Sequence, residues 1–137
     1  MENCIFCKII NKEIPANVIY EDQYLMAFLD INPISDGHTL IVPKKHFKDL
    51  NEINEEIGGK VLVLAAKIGK AIVESFNFEG YSIWENNGHF QDVPHFHLHV
   101  IGRHKNNDLK IKGPETPYKS EKEHLQEIKA ILSKEIN

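Results

Sequence analysis

Apolar positions follow a strand period in the first third of the chain and a helical period in the middle. β-rich runs occupy 18–21, 24–29 and 39–43, and Glu21-Asp22-Gln23 suits a hairpin turn between the first two. Ahead of them a short helix is expected over 6–11, with Pro15 ending regular structure. Ile57, Val61, Leu64, Ile68, Ile72 and Ser75 then step by three or four, which places an apolar stripe on a helix over 55–76. Gly58 and Gly59 weaken its first turn. Two further strands are predicted over 81–84 and 96–101, separated by a polar loop over 85–94. The stretch 105–118 reads as an exposed connection. Beyond it Ser120 and Glu123 stand at capping-box spacing, and Leu125, Ile128 and Leu132 share one face of a terminal helix.

Three strands, a long helix and two more strands do not alternate as βαβ units. The expected class is α+β: an antiparallel sheet of about five strands with helices on one face, a long central helix and a C-terminal helix from about 120. At 137 residues and 42% hydrophobic, residues 1–137 read as one domain with a core large enough to need no staple. No internal repeat or low-complexity tract interrupts it.

Sixteen Lys plus Arg against twenty Asp plus Glu give a formal charge of −4. That balance argues against a nucleic-acid polymer as partner, so any phosphate handled is small. No apolar run reaches the roughly 18 residues of a membrane span, and the N-terminus lacks a basic region followed by a long apolar run. A cytoplasmic protein is expected. Cys4 and Cys7 are the only cysteines, a pattern that reads as metal or redox chemistry in a reducing compartment. Spacing alone leaves open a redox pair, two free thiols or half of a zinc site.

The chemistry concentrates in Pro94-His95-Phe96-His97-Leu98-His99-Val100-Ile101. Alternation puts His95, His97 and His99 on one strand face and Phe96, Leu98 and Val100 on the other. Next-nearest rings stand about 7 Å apart along a strand, close enough to share a phosphate or a metal but too far to hydrogen-bond each other. The bland alternative is a solvated strand face or an adventitious metal site. A neutral imidazole can attack phosphorus if its other nitrogen donates its proton to a fixed acceptor, for which a backbone carbonyl suffices.

This stretch resembles the His-φ-His-φ-His-φ-φ signature of the histidine-triad nucleotide hydrolases and transferases. The resemblance spans positions 4–103 and includes Cys4-Ile5-Phe6-Cys7-Lys8-Ile9, Ile14-Pro15-Ala16, Phe28-Leu29-Asp30-Ile31 and Gly37-His38-Thr39-Leu40-Ile41-Val42-Pro43-Lys44-Lys45-His46. The third histidine, His99, points to the hydrolase branch rather than to the longer hexose-phosphate uridylyltransferases. The resemblance implies that His97 forms a covalent nucleotidyl intermediate that water hydrolyses. It implies that His99 binds the α-phosphate and helps the leaving group, and that Asn86 contacts the phosphate region. It assigns Asp30 to the ribose hydroxyls, and Phe6, Ile9, Ile14, Phe28, Leu29 and Ile31 to an apolar base pocket. Gln91 matches a family glutamine, although Phe90 replaces the usual preceding glycine and the 86–95 loop is about two residues shorter than usual. At the leaving-group position, where Ser or Thr is common, stands Asp92; an ionised carboxylate accepts hydrogen bonds but cannot donate them.

In family members that retain CxxC, the first triad histidine and the histidine after Pro-Lys-Lys complete the metal site. The resemblance therefore implies a structural zinc held by Cys4, Cys7, His46 and His95, with no open position for water. It further implies a homodimer acting on a small nucleotide, with an adenine or other purine base. The substrate classes are dinucleoside polyphosphates, nucleotide phosphoramidates and adenylylated compounds. The alternatives are a nucleotide-binding regulatory protein with weak hydrolysis, and a nucleotidyltransferase. His38, His89, His104 and His124 receive no chemistry and read as solvated or hydrogen-bonded surface histidines.

Overall fold

The protein is described from a computed structural model, which covers residues 3–106 and 121–136. Helix α1 (Ile5–Ile10) starts where the Cys4 sulfur accepts the Cys7 N–H at 3.4 Å, and Lys12, at φ 65, turns the chain away after it. Strand β1 (Val18–Glu21) turns into β2 (Leu25–Leu29) around Asp22, whose carboxylate accepts the N–H groups of Tyr24 and Leu25 at 2.7 and 2.8 Å. Strand β3 (Thr39–Pro43) follows, then α2 (Glu55–Phe76), β4 (Gly80–Trp84) and β5 (Leu98–Arg103). Helix α2 has the expected bounds because Asn54 caps it, accepting the Ile57 N–H, and Asn77 ends it in the left-handed region at φ 56.

The five strands form one antiparallel sheet in the order β1-β2-β3-β5-β4, so β5 is inserted between β3 and the edge strand β4. On one face Leu25, Ala27, Ile41, Leu98 and Val100 pack against Ile57, Val61, Leu64, Ile68 and Ile72 of α2. The alternate residues Met26, Phe28, Leu40 and Val42 pack with Cys4, Phe6 and Ile9 of the N-terminal segment. Helices thus cover both faces, not one. The continuous apolar runs of β2 and β3 were the signal, since a strand exposed on one side alternates whereas these are buried on both.

Several boundaries differ from expectation, most of them by one or two residues. Strand β5 starts at Leu98 rather than 96, because the Phe96 N–H is drawn to the Phe47 carbonyl at 2.7 Å instead of joining the ladder. The terminal helix α3 (Lys122–Ile136) forms with Glu123 in its first turn, while Ser120 and positions 107–118 of the expected connection lie outside the described residues. Leu125, Ile128 and Leu132 of α3 are exposed. Among the described residues no helix is long and apolar enough to cross a membrane.

The glycines of α2 are not equivalent. A Cβ on Gly69 would stand 2.4 Å from the Tyr81 ring, where helix and β4 meet, whereas one on Gly59 meets nothing within 4 Å. We expect Gly59→Ala to stabilise by about 0.5–1 kcal/mol through helix propensity. Gly69→Ala is expected to destabilise by about 1–3 kcal/mol despite the same propensity gain, because the helix must move off the sheet. Denaturant midpoints of the two variants moving in the same direction would contradict this.

Candidate active site and metal centre

His97 sits immediately before β5, outside the strand ladder, and is 4% exposed. Its Nδ1–H donates to the His95 carbonyl at 2.7 Å. That bond fixes the tautomer and leaves the Nε2 lone pair free. The edge of Phe6 contacts the ring at a centroid distance of 5.0 Å, so α1 holds the imidazole from the side opposite α2. Because His97 lies outside the pleated ladder, its ring approaches that of His99 to a centroid distance of 5.1 Å. The even strand spacing expected from sequence does not hold there.

His99 belongs to β5 proper, paired with Leu40 of β3 and Trp84 of β4, and its ring is flanked by the Trp84 indole at 5.8 Å. Its partner is one of the histidines that the sequence left on the surface. His38 is 2% exposed, which overturns that placement. The Ile34 N–H donates to His38 Nδ1 at 3.0 Å, so the His38 proton resides on Nε2, and this nitrogen lies 2.9 Å from His99 Nδ1. His38 therefore donates, His99 Nδ1 accepts, and the His99 proton is left on Nε2 as a donor. Burial, with smaller contributions from His97 and His38, pushes His99 down to about 4, so its ring is neutral at pH 7. Burial likewise lowers His38, against the opposing pull of Asp30. The signal for His38 was parity: even-numbered positions of β3 share the face of His99.

Asp30 follows β2 and is half-buried, with Oδ2 at 3.5 Å from His38 Nε2 and Oδ1 accepting the Asn32 N–H at 2.9 Å. Asp30, His38 and His99 are close enough to resemble a metal cluster. The proton on His38 Nε2 is already committed to a neighbouring nitrogen, so that nitrogen is a donor and not a ligand. If His38 acts by holding this tautomer, His38→Ala should lower kcat roughly 10- to 100-fold with little change in KM. His38→Gln, whose amide can donate to His99, should recover much of the loss. Equal losses in both variants would reduce His38 to a packing residue.

The remaining candidates divide. Phe6, Ile9 and Phe28 are buried together with Ile14 at their margin, on the face that carries His99. Leu29 points the other way, into a hollow shared with Ile68 and Ile72 of α2, because its position in β2 has the parity of Leu25 and Ala27. Its side chain is thus separated by the sheet from the triad. Ile31 is 84% exposed. The Gln91 amide donates to the Lys48 carbonyl at 2.6 Å and so braces its own loop. Asn86 is exposed just past β4, where continuing the Trp84↔His99 register places it opposite His97. Asp92 brings Oδ1 to 3.3 Å from His97 Nε2 while its side chain remains 78% exposed.

The second cluster is made by both ends of the sequence motif. Cys4 and Cys7 lie one turn apart at α1, and their sulfurs meet His46 and His95, with all four ligand atoms within 4.8 Å of one another. Separations are 3.4 Å for Cys4 Sγ to His95 Nδ1, 3.6 Å for Cys7 Sγ to His95 Nδ1 and 3.2 Å for Cys7 Sγ to His46 Nδ1. A tetrahedral zinc with bonds of about 2.3 Å to sulfur and 2.0 Å to nitrogen needs sulfur–nitrogen edges of about 3.5 Å. The residues fit such an ion. His95 Nε2–H donates to the Pro43 carbonyl at 2.9 Å, which turns the Nδ1 lone pair toward the sulfurs. Burial pushes the Cys7 thiol up to about 11, helped by Cys4, and pushes His95 down to about 4. A cation at the centre reverses the first tendency, since a coordinating thiol is deprotonated.

The family model for the HIT domain matches residues 11–106. A HIT-like protein of Methanocaldococcus jannaschii is 43% identical over 129 residues, covering 92% of this chain and 98% of that one. The adenosine 5′-monophosphoramidase hnt1 of Schizosaccharomyces pombe is 38% identical over 132 residues, covering 94% and 92%. Among solved structures, a Zn-bound histidine triad family protein from Mycobacterium smegmatis superposes with a TM-score of 0.76 at 32% identity, covering 97% of this chain and 95% of that one.

Proposed function

Because the chain belongs to the histidine-triad (HIT) family, we propose that it is a nucleotide hydrolase that cleaves the bond between a nucleoside 5′-phosphoryl group and its leaving group. The observation that carries this reading is the pair of fixed tautomers: His97 offers a free Nε2 lone pair beside a His99 that offers an Nε2–H. In the first step His97 Nε2 attacks the α-phosphorus and the bond to the leaving group breaks, the departing atom taking its proton from solvent while the His99 Nε2–H stays hydrogen-bonded to a phosphoryl oxygen. The positive charge that develops on His97 is shared through Nδ1–H with the His95 carbonyl. In the second step water attacks the phosphorus, the bond to His97 Nε2 breaks and returns its electron pair to that nitrogen, the proton of the water passes to solvent, and a nucleoside monophosphate leaves.

On this reading Asp30, partly open to solvent, accepts from the ribose hydroxyls, and Phe6, Ile9, Ile14 and Phe28 flank an adenine or other purine. Asn86 steadies the phosphate from the β4 side, and Gln91 acts through its loop. Substrates are nucleotide phosphoramidates and adenylylated compounds, with dinucleoside polyphosphates as a further class. Cys4, Cys7, His46 and His95 would hold a zinc that supplies a rigid tie between α1 and the segment bearing His97. The likeness to a Zn-bound family member supports that assignment. Residues 1–137 form one histidine-triad domain acting in the cytoplasm, where two free thiols persist as ligands. Leu62 on α2 and Ile83 on the edge strand β4 are both exposed, and a homodimer built across that edge would cover them.

The test is AMP release from a panel of adenosine 5′-phosphoramidates, adenylyl esters and diadenosine polyphosphates, with mass spectrometry of the acid-quenched protein. An adenylyl adduct on the peptide containing His97 is expected. Tight AMP binding with no release from any compound would leave a nucleotide-binding protein, and release that depends on an added alcohol or phosphate acceptor would make it a transferase.

A further inference from the structure

Asp92 stands where the chemistry has least use for a negative charge. Its Oδ1 lies 3.3 Å from His97 Nε2, the nitrogen left with a lone pair once Nδ1–H is given to the His95 carbonyl. Its other described polar contact is the Val93 N–H at 3.0 Å, and no Lys or Arg among the described residues pairs with it. An incoming phosphoryl group must take the place this oxygen occupies. The exposed side chain can swing aside, but it is short, and its backbone lies three residues before His95 in the same bend. The charge therefore stays within about 6 Å of the bond that breaks, at a centre whose phosphoryl oxygens are themselves anionic.

We propose that Asp92 selects the leaving group by charge, favouring substrates whose leaving group carries an ammonium or other cation and penalising anionic ones. This rests on the hydrolase reading of the same site and specifies its substrate class: phosphoramidates of basic amines over polyphosphates and mixed anhydrides with acids. A cationic leaving group replaces the lost partner of the carboxylate and offsets the repulsion between Asp92 and the phosphate. An anionic one adds a second repulsion. The two-unit charge difference between an ammonium and a carboxylate at about 6 Å, in a dielectric close to that of water, changes affinity or rate roughly tenfold.

The experiment uses two non-cleavable, carbon-linked analogues of AMP that differ only in a terminal ammonium or carboxylate, plus the matching cleavable phosphoramidates. Calorimetry on the wild-type chain should show the ammonium analogue binding roughly tenfold more tightly, with the difference shrinking in 0.5 M salt, as expected of about a 4 Å Debye length. Asp92→Asn and Asp92→Ser should bring the two affinities to within about twofold, and the kcat/KM ratio of the cleavable pair should shift in parallel. Equal affinities in the wild type, or an unchanged ratio in both variants, overturn the proposal. If the analogues discriminate and neither phosphoramidate is cleaved, the hydrolase reading falls while the charge selection stands.

Discussion

His97→Ala is expected to lower AMP release by at least about a thousandfold while leaving the Kd for AMP within about threefold. Removing the imidazole deletes the attacking atom, and neither His95 nor His99 can replace it. His95 spends Nε2–H on the Pro43 carbonyl and aims Nδ1 at the two sulfurs, while His99 Nδ1 is engaged by His38. AMP binding survives because the predicted ribose and base contacts come from Asp30, Phe6 and Phe28, on other elements. The acid-quenched adduct should vanish with activity. His97→Gln makes the stricter test: it keeps a polar side chain of similar length yet cannot form a stable nucleotidyl intermediate. A variant that retained a tenth of wild-type turnover would show that water attacks directly and that the triad only positions it.

What was legible in the sequence follows from which interactions are local. The bounds of α2 were readable because Asn54, the apolar stripe and Asn77 lie within one element and agree. The triad was readable because its spacing is local too. The role of His38 was not, since it depends on pairing β3 with a strand some sixty residues later. Nor could spacing show that His97 lies outside the ladder, a consequence of the Phe96 N–H finding Phe47. Leu29 was assigned with its neighbours Phe28 and Asp30, and the strand period of two sends its side chain to the other face. The four candidate metal ligands came from the resemblance, and the fold adds the reason they meet: β3 ends at Pro43, whose carbonyl orients His95, and the chain then delivers His46.

Protein purified without added metal should carry about one zinc per chain, and removing the ion should lower the thermal midpoint by about 10 °C or more. The ion would add a direct tie among three segments: the start of α1, the turn after β3 and the residues before β5. Without it two sulfurs and the Nδ1 atoms of His46 and His95 remain crowded in a site that is largely buried, with only weak sulfur–nitrogen contacts to hold them. Losing even 3–5 kcal/mol, well short of the roughly 10–16 kcal/mol measured for zinc in small fingers, shifts a domain of this size by that much. Cys4→Ala tests the same point by mutation, and because Phe6 contacts His97 as well as His95, activity should fall together with stability. Since the four ligands close the coordination shell, cobalt substitution should restore the midpoint and turnover alike, with absorption bands of a tetrahedral site that do not change when AMP binds. Bands that shift on AMP binding would instead give the metal a place in the reaction, and a zinc-free protein with an unchanged midpoint would leave the cysteines as thiols.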